Sequence, residues 1–257
     1  GQGDYNTGIG IDRTNKNTVY FVAHNVWKST DGGANWTQLT NWYQKVHTDM
    51  HQVVISPYNT SQVWNMNDGG VWLSTDGGNN WTNISDKYFG GSIGAVSVAP
   101  SDESVLYVGE GESTMRGNVS EGLGGMWKSE DGGRSWKNIG LKDTRHIVRI
   151  VVHPRNPDIV WVAVMGHLFG PHPERGIYKT VDGGKSWKQT LYVDDNTGAI
   201  DLDMNPADPN ELYAAMWYRT RSAWNFEESG KTSGIYKSTD GGNTWQLASS
   251  AASGFPT

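Results

Sequence analysis

Histidine and aspartate alternate in the segment His47-Thr48-Asp49-Met50-His51. A period of two puts His47, Asp49 and His51 on one side of an extended chain, and Asp68, in Asn67-Asp68-Gly69-Gly70, stands on the hairpin that follows. Two imidazoles and two carboxylates are a donor set for zinc or another divalent ion. The same four residues would equally make a hydrogen-bonded polar cluster lining a wet channel. No organic cofactor is expected, and a divalent metal is the one candidate.

Glu110 and Glu112 flank Gly111, with Arg116 close behind. Two carboxylates about 5–9.5 Å apart across a sugar would be the acid and base of a glycosidase, which makes Glu110 and Glu112 candidate catalytic groups. Glutamates two apart also occur on ordinary loops, paired to an arginine. Arg145, His146, Arg219 and, alongside them, Arg149 and Arg221 are groups that grip a carboxylate, and His167 stands in a nearby loop sequence. Arg149 alternates with Ile147 and Val151, so an ion pair between neighbouring sheets suits it as well. Trp217 and Trp224, with Trp42, Tyr43, Tyr218 and Phe226, offer flat faces on which a pyranose could stack; packing would account for about half of such aromatics.

These groups must be carried by a repeated scaffold. Ser29-Thr30-Asp31-Gly32-Gly33-Ala34-Asn35-Trp36 recurs at 74–81, 129–136, 180–187 and 238–245. Its aspartates Asp31, Asp76, Asp131, Asp182 and Asp240 are 45, 55, 51 and 58 positions apart, and Trp36, Trp81, Trp136, Trp187 and Trp245 close the copies. A unit of this size is a propeller blade. Each unit holds four short strand candidates in the same order. The last shows them at 199–204, 211–217, 234–238 and 245–248. The Asp-Gly-Gly step predicts the hairpin between third and fourth strands, with glycine supplying positive φ and the carboxylate accepting turn amides. One copy per unit cannot converge on one site, so these ten residues are expected to be structural. The expected fold is all-β, a single propeller of five four-stranded blades over 1–257. Blades fall at about 1–41, 42–88, 89–140, 141–192 and 193–250, with a tail at 251–257.

In such a blade the short repetitive turns share one face, and the second-to-third loops and interblade connections share the other. The long, irregular segments 110–125, 167–176 and 217–234 therefore place any site opposite the repeated turns.

The repeated octapeptide resembles the Asp-box, or bacterial neuraminidase repeat, superfamily over nearly the whole chain. That superfamily includes sialidases, xyloglucanase-type hydrolases, sortilin-type receptors and photosystem assembly factors. From about Gly91 onward, Val108-Gly109-Glu110-Gly111-Glu112, Arg116-Gly117-Asn118, His153-Pro154-Arg155-Asn156-Pro157, Gly166-His167-Leu168-Phe169-Gly170 and Trp224-Asn225-Phe226-Glu227 look like sortilin-like bacterial propellers that carry a glycosyl hydrolase label. The first third is richer in asparagine, and Tyr5-Asn6-Thr7-Gly8-Ile9-Gly10-Ile11-Asp12 resembles blade openings of xyloglucanase-type enzymes; Asn67-Asp68-Gly69-Gly70 resembles an Asp-Gly-Gly site of the same enzymes, which implies Asp68 as a third candidate catalytic acid. A natural divergent repeat or a spliced chain would each give this contrast. The arginine-isoleucine-proline motif of sialidases is absent, which disfavours that activity.

Composition agrees. The 33 glycines among 257 residues argue against helical bundles, because glycine costs about 1 kcal/mol per helical position;. No cysteine is present, so disulfides and thiolate chemistry are excluded. A net charge of −6 without a basic run disfavours nucleic acid;. No stretch approaches the roughly 18 apolar residues of a membrane span, and Gly1-Gln2-Gly3-Asp4 is no export signal;. The resemblance implies an extracellular or periplasmic protein whose signal peptide has gone. The expectation is a noncatalytic module for a glycan or peptide, or a natural or engineered propeller scaffold. The alternatives are a glycoside hydrolase of xyloglucanase type and a sortilin-like receptor or assembly factor.

Overall fold

Alternating β-branched and aromatic residues, broken by proline and glycine turns, fold each repeat into one antiparallel sheet. A computed structural model describes residues 8–41, 46–112 and 119–250. Arg116, Trp42, Tyr43 and the tail at 251–257 lie outside the described residues. The first sheet comprises β1 (Gly8–Ile11), β2 (Val19–Val22), β3 (Val26–Ser29) and β4 (Thr37–Gln38), and the second β5 (Met50–Ile55), β6 (Val63–Asn67), β7 (Gly70–Ser74) and β8 (Thr82–Asn83). The third holds β9 (Ile93–Ala99), β10 (Asp102–Glu110), β11 (Met126–Ser129) and β12 (Lys137–Asn138). The fourth holds β13 (Ile147–Val152), β14 (Val160–Val164), β15 (Gly176–Thr180) and β16 (Lys188–Leu191). In the fifth, β17 (Thr197–Met204), β18 (Leu212–Tyr218), β21 (Gly234–Ser238) and β22 (Gln246–Leu247) pair in order, and β19 (Thr220–Ser222) with β20 (Asn225–Glu227) forms a separate hairpin above them. The all-β class and four-stranded units match the expectation. Among the described residues no helix is long and apolar enough to cross a membrane.

The repeated turns close on themselves. In all five, aspartate Oδ1 accepts the hydroxyl two residues earlier at 2.8–2.9 Å. It also accepts the backbone N–H four residues later at 2.8–3.0 Å. Oδ2 accepts the side chain of that later residue. Both glycines of every copy have φ between 70 and 95°, a region closed to most side chains. The carboxylates are consumed by their own turns and stay ionised: the bonds from residues 35, 80 and 135 hold Asp31, Asp76 and Asp131 at about 2.

Neighbouring sheets pack face to face in chain order. Tyr20, Val22 and Val26 meet Met50 and Val53 at the first joint. Trp64 and Met66 meet Ile93 and Val96 at the second, Tyr107 and Met126 meet Ile147 and Ile150 at the third, and Trp161 and Ile177 meet Ala199 and Leu202 at the fourth. Four buried clusters thus fill four joints, and among the described residues none joins the fifth sheet to the first. The innermost strands share a concavity of about 510 Å³ lined by Gln52, Val96, Arg149 and Asp203. Arg149 is committed there: its Nε donates to the Leu202 carbonyl at 3.2 Å and lies 3.5 Å from Asp201, the intersheet pair that its alternation allowed.

Candidate functional site

Each inner strand from the second sheet onward breaks register near its start. The partners skip from Met50 to Gln52, from Ile93 to Ala95, from Ile147 to Arg149 and from Ala199 to Asp201. The residue left over is His51, Gly94, Val148 or Ile200. A bulge turns its extra side chain away from the sheet's alternation. The second sheet fills this slot with an imidazole, and the turn aims it at the joint with the third sheet.

His51 is held from behind. Its Nδ1 lies 2.6 Å from the Ile93 carbonyl. A carbonyl only accepts, so Nδ1 carries the proton and neutral His51 presents a bare Nε2. That atom sits 3.1 Å from Asp68 Oδ1 and 3.7 Å from Glu112 Oε1, and the His51 side chain is only 6% exposed. The donor atoms of the three residues all lie within 4.8 Å of one another. Burial works against the imidazolium, but Asp68, the Ile93 carbonyl and Glu112 outweigh it and raise the His51 pKa. Burial likewise works against ionised Asp68, and the His51 contact overcomes it to lower that pKa.

Three rigid pieces of backbone position the cluster. Asp68 belongs to a two-residue loop between β6 and β7, pinned when Gly69 N–H donates to Asn67 Oδ1 at 2.8 Å and Asn83 Nδ2 donates to the Gly69 carbonyl at 2.7 Å. Glu112 follows Gly111, whose φ of 91° and approach to the Arg145 carbonyl leave no room for a Cβ. Glu112 Oε2 accepts Ser120 N–H at 2.6 Å, which turns Oε1 toward His51.

Two members of the expected donor set do not join these three donors, although His47 lies against Gly69 and its charge acts on Asp68. Asp49 has φ 60°, a left-handed turn that cancels the period of two, and it faces His24 at 3.6 Å. His47 is exposed, with Nδ1 against the Thr48 carbonyl at 2.8 Å. Sequence spacing joined His47 and Asp49 to His51; the structure substitutes Glu112 from the next sheet. Glu110 is not paired with Glu112 across a groove. Its carboxylate accepts Leu123 N–H and Gly124 N–H at 3.0 Å each and Trp127 Nε1–H at 2.6 Å, a buried clasp for the β10–β11 loop.

The same face carries a cationic rim over the fourth and fifth sheets. His146 is buried, with Nδ1 donating to the Glu112 carbonyl at 3.0 Å, and burial drives its pKa to about 4. His167 stacks on His172 at 3.7 Å. Arg175, unremarked in the sequence, is the hub: its guanidinium donates to the Asn196, Arg219, His167 and Gly170 carbonyls at 2.9–3.3 Å. The signal available for it was a charged residue directly before a third strand, where the second and third sheets have glycine. Arg219 is buried beside it, over Phe226 at 5.1 Å and Trp217 at 5.6 Å, and burial with the neighbouring Arg175 and Arg221 lowers it to about 10. Arg145 has φ 58° and meets Asp143 at 4.0 Å. Trp217 Nε1 donates to the Glu228 carbonyl, whereas Trp224, at the tip of the β19–β20 hairpin, is 88% exposed. One face therefore gathers a His–Asp–Glu cluster, a guanidinium group and an exposed indole.

The family model for Sortilin-Vps10 (sortilin, neurotensin receptor 3) matches residues 124–256, just over half of the chain. The chain belongs to the Sortilin-Vps10 family. This Sortilin-Vps10 chain is also 26% identical over 228 residues to the probable oligoxyloglucan-reducing end-specific xyloglucanase of Neosartorya fischeri, covering 84% of the chain and 26% of that protein. It is 28% identical over 151 residues to the vacuolar protein sorting/targeting protein 10 of Kluyveromyces lactis, covering 49% of the chain and 9% of that protein. It thus spans about a quarter or less of the length of these relatives. The GH74 enzyme of Niastella koreensis superposes with a TM-score of 0.70 at 22% identity, over 96% of this chain and 38% of that one. That likeness carries the fold, a β-propeller.

Proposed function

We propose that this chain is a noncatalytic ligand-binding propeller unit of five blades, taking a glycan or peptide on the face opposite its repeated turns. The observation that carries this reading is the disposition of the acids. Glu110 is spent on three N–H donors. Asp68 and Glu112 lie within 4.8 Å of each other and of an imidazole, below the roughly 5–9.5 Å that separates the acid pair of a retaining or inverting glycosidase. The exposed Trp224 and, on the same hairpin, Arg221 supply stacking and charge without a reacting pair. The membership in the Sortilin-Vps10 family fits a protein-binding role, and extracellular or periplasmic residence follows from that reading.

A second reading, a glycoside hydrolase, is favoured by the likeness to a xyloglucanase over most of the chain. One experiment separates the two. Purified protein is assayed for reducing-end release from xyloglucan and β-glucans, beside a glycan and peptide binding array. Binding without turnover, lost in Trp224→Ala, is the expected outcome. Turnover that Asp68→Asn abolishes with the fold intact would replace the binding reading with the hydrolase one.

A further inference from the structure

We infer that His51, Asp68 and Glu112 form a site for one divalent cation of the zinc type at the joint between the second and third sheets. The site goes beyond ligand recognition on the rim, and its test is independent of any glycan or peptide.

The donor set is one nitrogen and two carboxylate oxygens, which suits zinc better than calcium, with its six to eight oxygens, or magnesium, with its octahedral water shell. Geometry agrees with the chemistry. Zinc bonds of about 2.0–2.2 Å in a tetrahedron place neighbouring donors about 3.3–3.5 Å apart; the two edges from His51 Nε2 are 3.1 and 3.7 Å. The tautomer is already that of a ligand, because the Ile93 carbonyl takes the Nδ1 proton and leaves Nε2 bare, the outer-shell contact characteristic of metal-bound histidine;. Neither His51 Nε2 nor Asp68 Oδ1 has a hydrogen-bond partner of good geometry, although both atoms are buried. Such atoms are costly to bury unless something else satisfies them. A cation at the centre of the three donors would do so and would offset the repulsion between two carboxylates held within 4.8 Å. It would also link the β5 bulge, the β6–β7 turn and the end of β10, three pieces that already have fixed backbones. Three protein donors leave a fourth position open to water or to a ligand on that face.

The test uses tag-free protein stripped by chelator, titrated with Zn²⁺ by calorimetry and with Co²⁺ by visible absorption. One equivalent of each is expected, with the intensified cobalt bands of a four- or five-coordinate ion and a rise in Tm. His51→Ala should remove all three signals. Asp68→Asn, on the more exposed turn, should weaken binding by no less than the about 10–100-fold lost with outer-shell partners, and circular dichroism establishes that each variant is folded. His172→Ala, which disturbs the separate His167–His172 pair, should bind as the parent does. Absence of saturable binding, or one equivalent retained by folded His51→Ala, would overturn the assignment.

Discussion

Glu110 and the repeated aspartates show how a side chain that resembles chemistry in the sequence can be spent on structure. Glu110 receives two loop amides and the Trp127 indole. Glu110→Ala leaves three donors facing a buried gap, and since an unsatisfied buried group costs roughly 1–3 kcal/mol, urea unfolding should register a loss of about 3 kcal/mol or more. Glu110→Gln keeps an acceptor and should lose about half of that. An acid-base role would give the opposite pattern, with activity lost in Glu110→Gln at unchanged stability. The turn aspartates set an acid limit on the fold. Their folded pKa values lie below the ordinary 3.8, at about 2 for Asp31, Asp76 and Asp131. The unfolded chain therefore takes up protons first as pH falls, so this contribution is intact above about pH 4 and is lost between about pH 4 and pH 2. Urea midpoints should fall steeply across that window, and Asp131→Asn should flatten the slope while lowering the plateau. A midpoint indifferent to pH over the same range would mean that the carboxylates do not hold the turns.

At the scale of the element, the turn and the joint are separable. Gly33 and Gly184 occupy the same position in two turns, with φ of 95 and 89°. A Cβ at Gly33 meets only Trp36 Cζ2 at 3.6 Å, whereas at Gly184 it meets Ile139 Cδ1 at 2.6 Å and Cβ at 3.0 Å across the joint. Alanine at either position bears the left-handed cost of roughly 1–2 kcal/mol, and Gly184→Ala adds about 1–3 kcal/mol of overpacking. Equal losses in denaturant titration would mean that the turn does not brace the preceding sheet. What was legible in the sequence follows the same division. The turns, the four-strand units and the face that holds the loops could be read because their causes lie within a few residues. His51 and Asp68 could be read as partners for that reason too. Glu112 as their third neighbour could not, because it arrives from the next sheet, and the exclusion of His47 and Asp49 depends on one positive φ at Asp49. Arg175 gave no signal beyond its position, since its four acceptors are backbone carbonyls that any sequence would supply.

In the whole molecule one grip recurs in the first, third and fourth sheets, and not in the second, where Trp64 Nε1 has no hydrogen-bond partner among the described residues and Leu73 stands in place of a lysine. An aromatic residue of the second strand reaches the next sheet: Tyr20 donates to the Gly77 carbonyl, Tyr107 to Pro157 and Trp161 Nε1 to Gly241. A lysine lies over each ring, Lys28, Lys128 and Lys179 at 5.2–5.7 Å. The fifth sheet has the same pair, Tyr213 and Lys237 at 5.1 Å, but both turn back to Glu211 of their own sheet. Tyr213 is 39% exposed where Trp161 is 1%. At the other end, β1 packs Gly8 and Gly10 against β5 and leaves Ile9 and Ile11 outward, with Trp36 40% exposed where Trp136 is 7%. Among the described residues the outer faces of the first and fifth sheets are thus left uncovered. Trp161→Ala should cost about 3–5 kcal/mol, the usual range for a buried tryptophan. Tyr213→Ala, on an open face, should cost about 1 kcal/mol or less, as for other substitutions outside a packed core. Paired urea titrations decide the question: a Tyr213→Ala loss as large as that of Trp161→Ala would mean that the outer face of the fifth sheet is covered in solution.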